Sequence, residues 1–152
     1  MSDLLIPLYR LPDFRPPEGF HFRRPLACEG KAVMHFIKSR FSAGWADEIQ
    51  PALFRVPASM FIAVHSDSQK LAGFCAWDCT ALGFLGPVGT ANEYRGLSVG
   101  GTLVLSALRE MRHQGYGYAV VGDAGVPDFF SKTAGAVEIP DSRPGIYSEK
   151  LL

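Results

Sequence analysis

The chain has 152 residues, with 15 basic and 15 acidic side chains, 47% hydrophobic content and 20% charged content. That length suits one domain over residues 1–152 with a substantial buried core, and the cancelled charge argues against nucleic-acid binding by phosphate neutralisation. No run approaches the roughly 18 apolar residues of a membrane span, and Met1-Ser2-Asp3-Leu4 has no signal-peptide pattern, so a cytoplasmic chain is expected.

Residues 1–19 carry Pro7, Pro12, Pro16 and Pro17, which disfavour regular helix, and are expected to wrap the surface as extended chain. Phe20–Arg23 alternates as a first strand would. Glu29–Arg40 presents an apolar stripe of Ala32, Val33, Phe36 and Ile37 and predicts a helix, followed by a second short helix over Phe41–Gln50 that Pro51 ends. Ser59–His65 and Leu71–Trp77, separated by the turn Asp67-Ser68-Gln69-Lys70, read as a β-hairpin, with Leu82–Val88 as the next strand. The spacing predicts a helix over 99–113. Val99, Leu103, Ala107, Leu108 and Met111 share one face, Thr102, Ser106, Arg109, Glu110 and His113 fall mostly on the other, and Gly115 stops it. A strand over 118–121, a short helix over 128–133 and a strand pair over 136–139 and 146–150 complete the chain. Successive antiparallel strands followed by a strand–helix–strand crossover imply an α/β (α+β mixed) fold, with helices on both faces of a mixed sheet.

The chemically richest stretch is Glu93–Thr102, Glu-Tyr-Arg-Gly-Leu-Ser-Val-Gly-Gly-Thr, where a turn of small residues opens into the amphipathic helix. A helix N-terminus offers unpaired N–H groups and partial positive charge, so glycines there can cradle a pyrophosphate with main chain alone, and Ser98 is placed as an N-cap. A Walker loop is excluded because Gly100-Gly101-Thr102 has no lysine. A dinucleotide fingerprint is disfavoured because Gly96, Gly100 and Gly101 are wrongly spaced.

Tyr94-Arg95-Gly96-Leu97-Ser98-Val99-Gly100 resembles the acetyl-CoA motif of the GNAT N-acetyltransferase superfamily, Gln/Arg-x-x-Gly-x-Gly/Ala, with Arg95 and Gly100 matching its ends. The order of elements from Leu82 onward is also similar, through Phe129-Phe130-Ser131-Lys132-Thr133-Ala134-Gly135-Ala136, which looks like the family's Phe-Tyr-Glu-Lys-Leu-Gly-Phe run with one residue inserted. The resemblance implies a central, mostly antiparallel sheet of about six or seven strands. It also implies acetyl-CoA as co-substrate, no metal, and transfer of acetyl directly to a primary amine of a small molecule or peptide. Pyrophosphate would lie on Arg95, Gly96, Leu97, Ser98, Val99, Gly100, Gly101 and Thr102, pantetheine beside Val88, Gly89 and Thr90, and the thioester where two neighbouring strands splay. Ser98 stands where the pattern has glycine, and Asn92 where many members have proline. Phe130 stands where many members carry a tyrosine that protonates the leaving thiolate, so another group must donate, or the thiolate leaves unprotonated, or the protein binds CoA with little turnover.

Asp78 and Asp123 follow strands and are candidate general bases, although both also suit turns. Asp123 could instead stand in for an asparagine that contacts pantetheine in the family. Tyr147 could fold back to replace the missing hydroxyl. Trp45, Phe41, Trp77 and Phe84 suit either an acceptor pocket or a core. His21, His35, His65 and His113 are scattered, and Cys28, Cys75 and Cys79 lack zinc spacing and read as reduced packing residues. The rival readings are an acyl-CoA-binding module without turnover and an interaction domain that binds no CoA. The oligomeric state stays open between monomer and homodimer.

Overall fold

The computed structural model describes residues 1–151. Strands β1 (Leu4–Pro7), β2 (Phe20–Arg23), β3 (Met60–His65), β4 (Leu71–Trp77), β5 (Leu85–Thr90), β6 (Tyr118–Val121) and β7 (Val137–Glu138) form two sheets. The first has the order β2-β3-β4-β5 and the second β6-β1-β7, with antiparallel ladders throughout. The sheets meet at one parallel bridge, Phe84 beside Val120, where the Val120 N–H donates to the Gly83 carbonyl at 2.9 Å. This is the mixed, mostly antiparallel arrangement expected from the sequence. The crossover between β5 and β6 is parallel only at that point.

Helices α1 (Gly30–Arg40), α2 (Ala43–Glu48) and α3 (Gln50–Phe54) lie on one face of the first sheet, and α4 (Val99–His113) on the other. The alternation of β3 and β4 assigns side chains between them. Ile62, Phe74 and Ala76 pack with Val33, Ile37 and Ile49, while Ala63, Cys75 and Trp77 pack with Leu103, Leu108 and Met111. Covered on both faces, β4 is buried from Ala72 to Trp77. The α4 stripe is buried as expected, and Thr102 joins it because its hydroxyl donates to the Ser98 carbonyl at 2.7 Å and so needs no water.

Four local expectations are corrected. Leu4–Pro7 is not surface wrapping but the central strand of the second sheet, since Pro7 ends the strand and its missing N–H interrupts nothing inside it. Pro51 does not terminate helical structure; it occupies the first turn of α3, where an N–H has no helical partner anyway. The strand expected at Leu82 begins at Leu85, because Gly83 at φ +81° and the bonds of Asp78 keep the preceding residues in a turn. Residues 146–150 form no strand, and Gly145–Tyr147 is a single 3-10 turn. Helix α5 (Pro127–Ala134) ends at Gly135, whose φ of +70° suits a residue without Cβ.

Candidate active site

Strand β5 is the edge of its sheet, so alternate N–H groups along it have no strand partner and face the gap toward β6. Its ladder with β4 is interrupted: Cys75 pairs with Val88 and Trp77 with Leu85, so Gly86 and Pro87 both stand opposite Ala76. This bulge, with Gly86 at φ +119°, bends β5 away from its neighbour. Beyond the Phe84–Val120 bridge the strands diverge and enclose a cavity of about 780 Å³. Leu85–Val88 form one wall, Val121–Val126 the opposite wall, and Phe130 adds an apolar surface. Trp45 and Glu48 of α2 and Arg143, Tyr147 and Lys150 of the C-terminal segment also line it.

At its other end β5 runs through Gly89 and Thr90 into the glycine loop. Gly96 at φ +78° and Ser98 at φ +64° turn the chain so that α4 starts at Val99. Ser98 is the N-cap by position, but its hydroxyl makes no capping bond. Thr102 is the first α4 residue to reach back to the Ser98 carbonyl, at 3.2 Å, which leaves the N–H groups of Val99, Gly100 and Gly101 without helical acceptors. A Cβ at Gly100 would fall 3.1 Å from the Thr90 hydroxyl, which would have to give way slightly, and 3.6 Å from Phe129, an ordinary contact. Arg95 is exposed at the loop, its Nε donating to the Thr90 carbonyl at 3.3 Å. Leu97 is exposed and Val99 buried. Glu93, the acidic neighbour of this loop, is engaged by Arg40 at 2.9 Å, which holds its carboxyl below the usual range.

The candidate catalytic residues divide. Asp78 does not line the cavity. At φ +56° it organises the β4–β5 turn, accepting from the Gly83 N–H at 2.8 Å and from the Tyr116 hydroxyl at 2.9 Å. Asp123 does line the cavity, at φ +48°, with its carboxylate 3.2 Å from the Met1 amino group and its N–H donating to Asp3 at 2.8 Å. Tyr147 reaches the cavity too, and its hydroxyl donates toward both carboxylate oxygens of Glu48 at 3.2 Å. Burial, then the charge of Glu48, push this phenol up to about 12, so it keeps its proton through the physiological range.

Glu48, inside the short helix expected over Phe41–Gln50, is not among the residues the sequence singles out. Ile49 is fully buried, so Trp45 and Glu48, three apart, share the side that faces the cavity. Phe130 is buried against Phe129 with ring centroids 5.1 Å apart, and lines the cavity without a hydroxyl. Of the aromatic candidates, Trp45 lines the cavity and Phe41 stacks on it at 5.5 Å. Trp77 is core: it is fully buried and donates to Gln114 at 3.3 Å. Phe84 packs over Gly122. His65 bonds Ser68 at 2.7 Å in the β3–β4 turn. Burial pushes the Cys75 thiol up, and burial with the Glu48 charge pushes Cys79 up to about 11, so neither is a ready thiolate. Among the described residues no three His, Cys, Asp or Glu side chains gather as a metal site.

The family model for the acetyltransferase (GNAT) family matches residues 30–131, from the start of α1 into α5. The chain belongs to that family. GNAT folds recur among solved structures. A GCN5-related N-acetyltransferase from Sphaerobacter thermophilus aligns with TM-score 0.74 at 19% identity over 91% of this chain. A GNAT family N-acetyltransferase from Escherichia coli, in complex with CoA, gives 0.60 at 18% identity over 80% of this chain and 71% of its own. A GNAT family acetyltransferase from Brucella melitensis, in complex with acetyl-CoA, gives 0.54 at 22% identity over 73% of this chain and 80% of its own. At these identities the likeness shows the fold alone. The chain spans 48% of the Sphaerobacter protein's length. No curated protein matches the sequence.

Proposed function

We propose that the protein transfers an acetyl group from acetyl-CoA to a primary amine of a small molecule or peptide, by direct attack and without an acyl-enzyme. The observation that carries this reading is the course of β5, which joins the cavity at its bulged end to the glycine loop at the other. CoA would lay its pyrophosphate on the free amides of Val99–Gly101 beside Arg95, and its pantetheine along the edge of Val88–Thr90. The thioester carbonyl would be polarised by main-chain N–H groups on that edge, fixed in advance by the sheet. The amine would enter past Trp45 and Tyr147, into the cavity between Leu85–Val88 and Val121–Val126. Direct transfer is supported by the cysteines, since the two near β4 and its turn hold their protons at neutral pH.

Phe130 favours a second reading, a CoA-binding module with little turnover, because it supplies no proton donor. Two measurements separate these readings. Calorimetric titration with acetyl-CoA, with ATP and NAD as controls, is expected to show selective binding that Gly100→Glu abolishes. Thiol release over a panel of primary amines is then expected to exceed the no-amine background. Binding without release would support the module, and no binding would remove both.

A further inference from the structure

Amide formation from an amine and a thioester releases a proton from the attacking nitrogen and ends with a thiol, and Phe130 stands where the resemblance places a donor tyrosine. We propose that Glu48 and Tyr147 form a single proton-carrying pair at the acceptor end of the cavity, Glu48 as base and Tyr147 as acid. This assignment rests on the acetyltransferase reading above. The two residues come from α2 and from the C-terminal segment, 99 positions apart, and meet with the phenol 3.2 Å from each carboxylate oxygen. Glu48 makes no ion pair among the described residues, so its hydrogen-bond partner is the neutral phenol rather than a cation. Asp78 is held in its turn, outside the cavity, and Asp123 stands on the opposite, β6 side of it.

The proton path closes on itself. As the neutral amine attacks, the new C–N bond forms and the nitrogen gives one proton to a Glu48 oxygen. The C–S bond then breaks, its electron pair goes to sulfur, and the thiolate takes the proton of Tyr147. The tyrosinate regains a proton from the carboxylic acid of Glu48 across the bond between them. The pair ends as it began, and amine plus thioester become amide plus thiol with no proton lost or gained. The groups facing the pair are Cys79 and Thr80 of the β4–β5 turn, Asp123 beyond β6, and Arg143 and Lys150 of the C-terminal segment, with Arg55 near Cys79. Lys150 lies 5.7 Å from the Tyr147 ring centroid. Burial first, and then the charge of Glu48, keep the phenol protonated; when Glu48 accepts a proton its share of that effect is lost and Tyr147 becomes a readier acid at that moment.

The test compares wild type, Glu48→Gln, Tyr147→Phe and the double variant, with acetyl-CoA and phenethylamine, an amine whose ring suits the Trp45 wall. Calorimetric affinity for acetyl-CoA should stay within about twofold in all variants. Each single variant should lower kcat at least about 100-fold, and the double variant should lose no more than the worse single, because one path is broken in each case. The lower pKa of the kcat profile should vanish in Glu48→Gln, while Glu48→Asp should recover part of the rate. A Glu48→Gln variant within threefold of wild type, or losses that multiply in the double variant, would overturn the pair while leaving the acetyltransferase reading intact. A wild type that binds acetyl-CoA but releases no thiol with phenethylamine overturns both the pair and turnover by this route. A wild type that binds no acetyl-CoA overturns the reading on which the pair rests.

Discussion

Gly89 lies in β5 against the ring of Phe41, and replacing it with alanine tests how the aromatic cluster of Phe36, Phe41, Trp45 and Phe74 is packed. A Cβ there would fall 2.6 Å from two ring carbons and 3.1 Å from a third. Carbon atoms settle at about 3.5–4.0 Å, so the ring must retreat by about 1 Å. It has little freedom to do so: Phe41 stacks on Trp45 at 5.5 Å and meets Phe74 and Phe36 edge-on at 5.6 and 5.9 Å. Overpacking of this kind costs about 1–3 kcal/mol. Removing a glycine from a strand works in the opposite direction by about 0.5–1 kcal/mol. A net loss of about 1–2 kcal/mol is therefore expected, which for a chain of 152 residues lowers Tm by about 2–8 °C. Thermal and urea unfolding of Gly89→Ala, Phe41→Ala and the double variant measure it. In the Phe41→Ala background the added methyl meets no ring, so its cost should disappear and the cycle should show about 1–2 kcal/mol of coupling. A Gly89→Ala variant that melts within about 1 °C of wild type, or that loses as much without Phe41 as with it, would refute the packing argument.

Asp78→Ala should cost about 1–2 kcal/mol, since it leaves the Gly83 N–H and the Tyr116 hydroxyl without their acceptor and puts a residue poorly suited to φ +56° in the turn. Its kcat should stay within about threefold of wild type, and a larger fall in kcat at unchanged stability would return Asp78 to the chemistry. Glu29, bound by Arg23 at 2.7 and 2.8 Å and by the Leu26 N–H, has its carboxyl lowered to about 2. A depressed carboxyl stabilises above its unfolded pKa of about 4.3 and loses that contribution as pH falls toward about 2. With the carboxylate side chain 30% and the guanidinium side chain 40% exposed, screening reduces the effect to about 1 kcal/mol. Glu29→Gln should thus be less stable than wild type by that amount at pH 7 and equal to it near pH 2, whereas a pH-independent difference in urea midpoints would contradict the assignment.

Elements with strong periodicity were legible in the sequence because the periodicity reports burial directly. The α4 stripe, the β3–β4 hairpin and the glycine loop fall where the pattern places them. Strand β1 was hidden because the four prolines of residues 1–19 speak for irregular chain, while its pairing depends on residues more than a hundred positions away. Tyr147 could be named as a candidate because an absent hydroxyl at Phe130 poses a question about donors. Glu48 could not, because its significance comes from Tyr147 folding across to it, a contact 99 positions apart that leaves no local mark. Asp78 and Asp123 look alike as residues that follow strands, and both adopt positive φ. Only the tertiary structure shows that one carboxylate faces a tyrosine in a turn and the other the cavity.

The position of β1 between β6 and β7 also fixes an order of events during synthesis. The ladders β2 to β5 join segments that leave the ribosome within residues 20–90, and α4 follows directly, so the first wall and the glycine loop can form as the chain emerges. Residues 4–7 emerge before all of these, yet their partners at 118–121 and 137–138 come last. A nascent chain halted after α4 would therefore hold the glycine loop and its helix beside the unpaired apolar segment Leu-Leu-Ile-Pro, an open edge of the kind that recruits other chains.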